Sequence, residues 1–365
     1  MTTKLLSIAK QFAIENTIVA IVPFGSGHIH QTYRVETKPV SAPNYILQQV
    51  NHYVFKWVPE LMDNIMRITT HIKQKLSAIE NADPTRETLT VVPTIDGQAF
   101  WRDENGDYWR VFVALDHVIS YDIVDSLAVA YEGGIAFGRY LKYLSDLPGK
   151  PLFDTIPNFH NIKSRLDSFY TVLKHDRLNL AKQVSAEIDF IDKRADEMQA
   201  LYRLSSNGKI PIRNTHNDTK FNNVLFTPDN KALCVIDLDT TMQGLEHYDC
   251  GDAYRTVANI VAEDELDTSK IEFDTQKFEA FTKGYLNETK EILQPIEIEY
   301  IPFSAKLFPF TQGVRFLTDY LDGDKYYKTD YAGHNLKRTL AQFKLAQSVE
   351  QKYDKLHEII RQIVS

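Results

Sequence analysis

The sequence predicts an α+β protein of two lobes: an antiparallel β-rich N-terminal lobe over residues 1–116 and a mainly helical C-terminal lobe over 117–365. Three observations lead there. Short β-branched and aromatic runs separated by turn residues fill the first part of the chain. From Ile123 the apolar residues recur at helical spacing instead. Two short apolar runs with polar ends, Asn223–Phe226 and Ala232–Ile236, then interrupt the helices as a pair of strands. A chain of 365 residues can bury a large core and commonly divides in two.

Composition narrows the function classes. Apolar content of 43% and charged content of 25% are those of an ordinary globular protein. A net charge of −8 argues against a nucleic-acid surface, which needs a basic face. No apolar run reaches membrane-spanning length. Cys234 and Cys250 form no disulfide framework and fit a reducing, cytoplasmic setting. The eleven histidines include no HExxH-type pair, so zinc has little support.

In chain order, Leu5, Ile8 and Phe12 open an amphipathic helix without a signal-peptide core. Strands are expected over Thr17–Phe24 and Thr32–Thr37, around Gly25-Ser26-Gly27-His28. A dinucleotide fingerprint would need a third glycine and a following helix, whereas His30 and a strand stand here. The turn therefore reads as a phosphate-covering hairpin loop, with Gly25, Ser26 and Gly27 as nucleotide-binding candidates, or as an ordinary hairpin turn. Asn44–Val50 is a third strand. Kinases place a phosphate-pairing lysine there, and Gln48 holds the position in this chain, able to donate hydrogen bonds but without charge. A helix over 57–79 and strands at Leu89–Val92, Ala99–Arg102 and Tyr108–Ala114 complete the lobe, with Asp103-Glu104-Asn105-Gly106 as a hairpin turn. A single crossover is expected at Ala114–Ser120, followed by helices over 124–147, 161–178, 182–204, 250–262, 274–289, 298–320 and 335–363.

The chemistry gathers between Pro211 and Asp252. His216, Asp218 and Asn223 stand as H-x-D-x-x-x-x-N, the spacing of base and metal-binding Asn in phosphoryl-transfer enzymes. Nineteen residues after Asp218, at the end of an apolar strand, comes Asp237. A transferring γ-phosphoryl needs a hard cation with oxygen ligands. Asn223 and Asp237 can supply an amide oxygen and a carboxylate, leaving Asp218 to accept the proton of the attacking hydroxyl. His216 reads as a support of the loop, and Asp249 and Arg255 as its braces. Asp239 is open between a second Mg²⁺ and a turn-shaping role, and Lys220 between a phosphoryl contact and an exposed lysine. A polar hairpin would use the same Asp and Asn residues merely as turn formers.

With these residues stand GSGHIHQTY (25–33), YILQQVN (45–51), TIPNFHN (155–161), THNDTKFNNVLF (215–226), CVIDLDT (234–240), YDCGD (248–252) and RFLTDYLDGD (315–324). On these motifs the chain resembles the aminoglycoside phosphotransferase-like kinases, which have the bilobal protein-kinase-like fold, and within them the N-acetylhexosamine 1-kinases. The resemblance implies ATP and Mg²⁺, with γ-phosphoryl transfer to the anomeric hydroxyl of N-acetylglucosamine or N-acetylgalactosamine. Asp218 matches the catalytic base and substrate contact, and Asn223 and Asp237 the metal ligands. Arg315, Tyr326 and His28 fall where such enzymes contact the sugar. The chain is expected to be a monomer whose partner is a small sugar, with no nucleic acid and no membrane. Two other readings remain: a kinase of an aminoglycoside or amino alcohol, for which the acidic runs Glu263–Asp267 and Asp319–Asp324 leave room, and an inactive nucleotide- or sugar-binding regulator.

Overall fold

The β-branched runs of the N-terminal region form strands, as their composition dictates. The structure, a computed structural model, describes residues 3–25, 29–261 and 265–365. Helix α1 (Thr3–Ala9) precedes β1 (Thr17–Pro23), β2 (Gln31–Lys38) and β3 (Tyr45–Val50). Helix α2 (Val58–Ser77) follows, then β4 (Val91–Val92), β5 (Trp101–Arg102) and β6 (Tyr108–Val113). The sheet is antiparallel in the order β1-β2-β3-β6-β4, with β5 also on β6. Its register sets Gln48 opposite Thr32 on one side and Arg110 on the other. Ile8 and Phe12 pack with Val35, Leu47, Trp109 and Val111 as a core on one face. The DENG turn forms as expected: Asp103 Oδ1 accepts the N–H groups of Asn105 and Asp107, and Gly106 has φ +86°.

The compact unit built on this sheet is discontinuous. It contains Met1–Ile119, Asp146–Pro157 and Leu225–Met242, whereas the division expected at residue 116 leaves the last two segments in the helical lobe. Asn64 shows what ties them in. It lies buried on α2 among Leu61, Ile65 and Ile68, donates to the Phe153 and Thr241 carbonyls, and accepts the Phe153 N–H. The chain passes between the units more than once, and not by the single crossover expected at Ala114–Ser120.

The second unit comprises Ser120–Ser145, Asn158–Val224 and Gln243–Ser365. Its helix α3 (Leu127–Leu144) is capped by the Ser126 hydroxyl, and α4 (Ile162–His175) by the Asn161 amide oxygen. The stretch 182–204, expected as one helix, is broken into α5 (Ser185–Asp192), α6 (Ala195–Met198) and α7 (Ala200–Ser206). At the breaks the Arg194 and Gln199 N–H groups reach back three residues, to Ile191 and Asp196, and tighten the turns. Then comes β7 (Arg213–Thr215), which pairs with β10 (Met242–Gly244); between them β8 (Val224–Phe226) pairs with β9 (Ala232–Val235), almost wholly within the Leu225–Met242 stretch that belongs to the first unit. Helices α8 (Glu246–Val257), α9 (Thr275–Thr289), α10 (Pro295–Glu299), α11 (Ile301–Asp322), α12 (His334–Gln351) and α13 (Tyr353–Val364) complete the chain. The stripe over 335–363 is thus two helices, broken at Lys352, whose N–H also turns back three residues to Val349.

Glycines let α3 and α9 approach closely. A Cβ on Gly134 would lie 2.0 Å from the Phe281 carbonyl oxygen, and one on Gly284 would lie 2.0 Å from that of Tyr131. A second core gathers Leu166, Phe169, Ile191, Phe310, Val314, Leu317 and Phe343. Among the described residues no helix is long and apolar enough to cross a membrane.

Candidate active site

In the first unit the uncharged Gln48 is one member of a partly buried polar chain that ends in a buried ion pair. Its Nε2 donates to Thr32 Oγ1 at 3.1 Å, and its Oε1 accepts from Arg110 Nε at 3.0 Å. The Arg110 guanidinium, the neighbour dictated by strand register, forms a two-pronged ion pair with Asp239, Nη2 to Oδ2 at 2.8 Å and Nη1 to Oδ1. His30 Nε2 donates to the same Asp239 Oδ2 at 2.6 Å, while its Nδ1 accepts the Asn51 N–H. Burial opposes both charges, but each stabilises the other: Arg110 rises above its ordinary value, and Arg110 with His30 holds Asp239 well below the usual carboxylate range.

Of the two uses open to Asp239, these contacts support the turn-shaping one. Both of its carboxylate oxygens are engaged by protein donors, and its carbonyl accepts the Thr155 hydroxyl. It braces the turn. Asp237, two residues earlier and just past the end of β9, is exposed and left-handed at φ +60°. His30, Asp237 and Asp239 each offer a ligand atom within 4.8 Å of the others, and the Asp237 charge adds to that of Asp239 in raising Arg110. Gly25 ends the first hairpin arm exposed, with φ +78°. Ser26, Gly27 and His28 lie outside the described residues.

In the second unit the loop after β7 is held from behind. The Asp249 carboxylate, on α8, accepts the His216 N–H at 2.8 Å and the Asn217 N–H at 2.7 Å, and its carbonyl accepts the Thr219 hydroxyl. Burial pushes Asp249 up to about 6, although these donors favour its ionised form. His216 is fully buried, accepts the Asp218 N–H on Nδ1, and meets the Phe137 and Tyr140 rings edge-on. It is architectural, as the sequence suggests. Asn217 takes φ +63°, which turns the chain so that Asp218 is presented partly exposed. Phe221 anchors the far side, packed against Gly133 with its N–H on Thr256 Oγ1.

Asp218 and Asn223 come together within this unit. Asn223 Nδ2 donates to the Asp218 carbonyl at 2.8 Å and to its Oδ2 at 3.3 Å. With its amide nitrogen so used, the Asn223 carbonyl oxygen is the group left to face a cation, which fits a hard metal's preference for oxygen. Burial acts to raise the Asp218 carboxyl, but Lys220, His216 and Arg255 together hold it below its ordinary value. Lys220 Nζ lies 3.4 Å from Asp218 Oδ1, and Arg255 makes its own ion pair with Asp252 at 2.6 Å.

Arg315 lies on α11, bonded through Nη1 to Gln312 Oε1 and stacked over the Phe159 and Tyr327 rings. Of the adjacent tyrosines, Tyr327 packs inward on Phe316, whereas the Tyr326 side chain is 61% exposed. The Asp319 carboxylate accepts the N–H groups of Lys325, Tyr326 and Tyr327 and the Asn335 amide, so this member of the acidic run is spent on folding its loop. Residues that sequence reasoning passed over also appear. Arg110 was visible as the one charge inside YWRVFV. His160, from TIPNFHN, donates through Nε2 to the Asn217 carbonyl at 2.7 Å, next to the base. Burial, with Arg315 and Arg165 nearby, lowers His160 to about 3 and keeps it neutral. Arg165 carried no signal beyond helical spacing.

The model for the phosphotransferase enzyme family matches residues 20–281. Among solved structures, a spectinomycin phosphotransferase in complex with ADP and spectinomycin is 13% identical, with a TM-score of 0.57, covering 95% of this chain and 98% of its own. An amicoumacin kinase in complex with AMP-PNP and Ca²⁺ is 13% identical, with a TM-score of 0.56, covering 96% and 93%. A choline kinase from Cryptosporidium parvum is 13% identical, with a TM-score of 0.57, covering 99% and 100%. At such identity these likenesses establish the fold. It is the protein-kinase-like arrangement of an antiparallel N-terminal sheet and a helical C-terminal part.

Proposed function

The chain belongs to the phosphotransferase enzyme family, and we propose that it transfers the γ-phosphoryl group of ATP, with Mg²⁺, to the anomeric hydroxyl of an N-acetylhexosamine. The observation that carries the reading is the Asp218–Asn223 contact, which presents a carboxylate of lowered pKa beside an amide whose oxygen is left for a metal. Asp218 accepts the proton of the attacking hydroxyl. An anomeric hydroxyl is more acidic than an ordinary alcohol, so a weakly basic carboxylate suffices when the transition state is loose. The Asn223 carbonyl oxygen and the Asp237 carboxylate are the groups we assign to hold magnesium, which when bound would neutralise phosphate charge. Nucleotide and divalent-cation use are supported by the ADP complex of the spectinomycin phosphotransferase and the AMP-PNP and Ca²⁺ complex of the amicoumacin kinase. Gly25, Ser26, Gly27 and Gln48 are assigned to the nucleotide, and Arg315, Tyr326 and His28 to the sugar.

The acceptor assignment draws on charge. A cationic acceptor such as an aminoglycoside or amino alcohol calls for carboxylates facing it. Around His160 and Asp218 the described side chains instead bring Arg315 and Arg165, while Asp319 is used internally and Asp322 pairs with Lys325. An inactive regulator would have no need of the braced Asp218 and Asn223. Turnover of ATP against a panel of N-acetylhexosamines, aminoglycosides, choline and ethanolamine tests the reading. Consumption of the N-acetylhexosamines is expected, abolished in Asp237→Ala. Activity confined to the amines would refute the acceptor, and Asp237→Ala turnover near the parent level would refute the ligand.

A further inference from the structure

We propose that Arg165 and Arg315 form an oxyanion subsite in the second unit, which takes a phosphate or carboxylate group of the small molecule bound beside Asp218. The two guanidiniums flank Phe159. Arg165, on α4, donates to the Phe159 carbonyl through Nε at 3.1 Å and Nη2 at 2.6 Å. Arg315 stacks over the Phe159 ring, 5.2 Å from its centroid, and donates through Nη1 to Gln312. Among the described residues neither meets a carboxylate.

The nearby acids are spoken for. Asp319, one turn along α11 from Arg315, accepts three backbone N–H groups and the Asn335 amide. Asp218 draws its opposing charge from Lys220, His216 and Arg255. Two uncompensated like charges in partly buried surroundings repel each other. The repulsion registers in Arg165, which burial and Arg315 together lower to about 10. Tyrosine rings soften the arrangement without neutralising it. An oxyanion with two adjacent oxygens, phosphate or carboxylate, supplies the missing charge and accepts the donors that Phe159 and Gln312 leave over, which is the chemistry guanidinium groups suit best. His160, neutral between them and the base loop, adds no competing cation.

That the ligand is a sugar rests on the kinase reading, but the oxyanion chemistry does not. Two sources present the same group: the phosphate of a newly made sugar 1-phosphate, or an acidic substituent already on the acceptor. Calorimetric titration of the full chain with inorganic phosphate, without nucleotide, is the test. Saturable binding is expected, weakened about tenfold or more in Arg165→Gln and in Arg315→Gln, as for loss of a charge-assisted contact. Arg165→Lys keeps the charge and should retain most of the binding. Circular dichroism checks that each variant is folded. Titration with N-acetylhexosamine 1-phosphate and 6-phosphate then distinguishes the sources by which isomer loses more affinity in the variants. Phosphate binding that is absent, or unchanged in both Gln variants, overturns the proposal. Arginine-dependent phosphate binding in a protein that phosphorylates no sugar upholds the subsite and refutes only the acceptor assignment.

Discussion

Substituting Arg110 by Met tests the idea that the first unit is organised on one buried ion pair. Arg110 and Asp239 are 2% and 1% exposed, so the substitution strands a carboxylate whose remaining side-chain donor is His30. Breaking a buried pair from one side destabilises by about 3–5 kcal/mol, because the remaining charge has no compensation. The lost hydrogen bond to Gln48 adds roughly 1 kcal/mol. Removing both charges, as Arg110→Met with Asp239→Leu, replaces the stranded carboxylate by an unsatisfied His30 donor, worth about 1–3 kcal/mol, beside the same lost bond at Gln48. The double variant should therefore be more stable than the single one. Denaturant titration followed by tryptophan fluorescence isolates the effect, since all three tryptophans, Trp57, Trp101 and Trp109, lie in the first unit. A single variant destabilised by less than about 1 kcal/mol, or a double variant worse than the single, would refute the reasoning.

Other consequences are open to direct measurement. Gln48→Lys sets a second cation against Arg110 Nε, so it should lower first-unit stability by roughly 1–3 kcal/mol and bring no gain in turnover; a severalfold rise in kcat/KM for ATP would contradict this. Asp218→Asn should lower kcat on the order of a hundredfold with little change in sugar affinity, and comparable losses in both would mean that the residue serves mainly to bind. His160 falls from 6.5 to about 3 on folding, so its contribution to stability is present above 6.5 and lost as pH drops toward 3. His160→Gln, which can keep the bond to the Asn217 carbonyl, should reduce the slope of stability against pH between 4 and 6 by about 1.4 kcal/mol per unit. An unchanged slope in urea titrations across that range would show that His160 is charged in the folded protein.

Local pattern made much of this molecule readable. The strands, the hairpin turn at Asp103–Gly106 and the spacing of His216, Asp218 and Asn223 depend on neighbours in sequence, and the structure places them accordingly. What depends on distant partners was not readable. Nothing near Gln48 announces that Arg110 faces it across the sheet, since strand order decides that. Asp239 could not be assigned from its motif because its role follows from Arg110 and His30, 129 and 209 residues away in sequence. The chain's return to the first unit at Asp146–Pro157 is held by contacts from far along the chain, the Asn64 amide and the Arg67 guanidinium on α2 and the Asp239 carbonyl, and α2 itself reads as an ordinary apolar stripe.

The position of the transferred phosphate decides whether this chain is an anomeric kinase. Incubation with ATP, Mg²⁺ and an N-acetylhexosamine, followed by phosphorus-31 NMR with proton coupling, reads which carbon carries the new ester. Phosphate is expected on the anomeric carbon, with loss of the sugar's reducing end, and both should be abolished in Asp218→Asn. Phosphate on the 6-hydroxyl, or sugars left untouched while aminoglycosides or amino alcohols are phosphorylated, would contradict it.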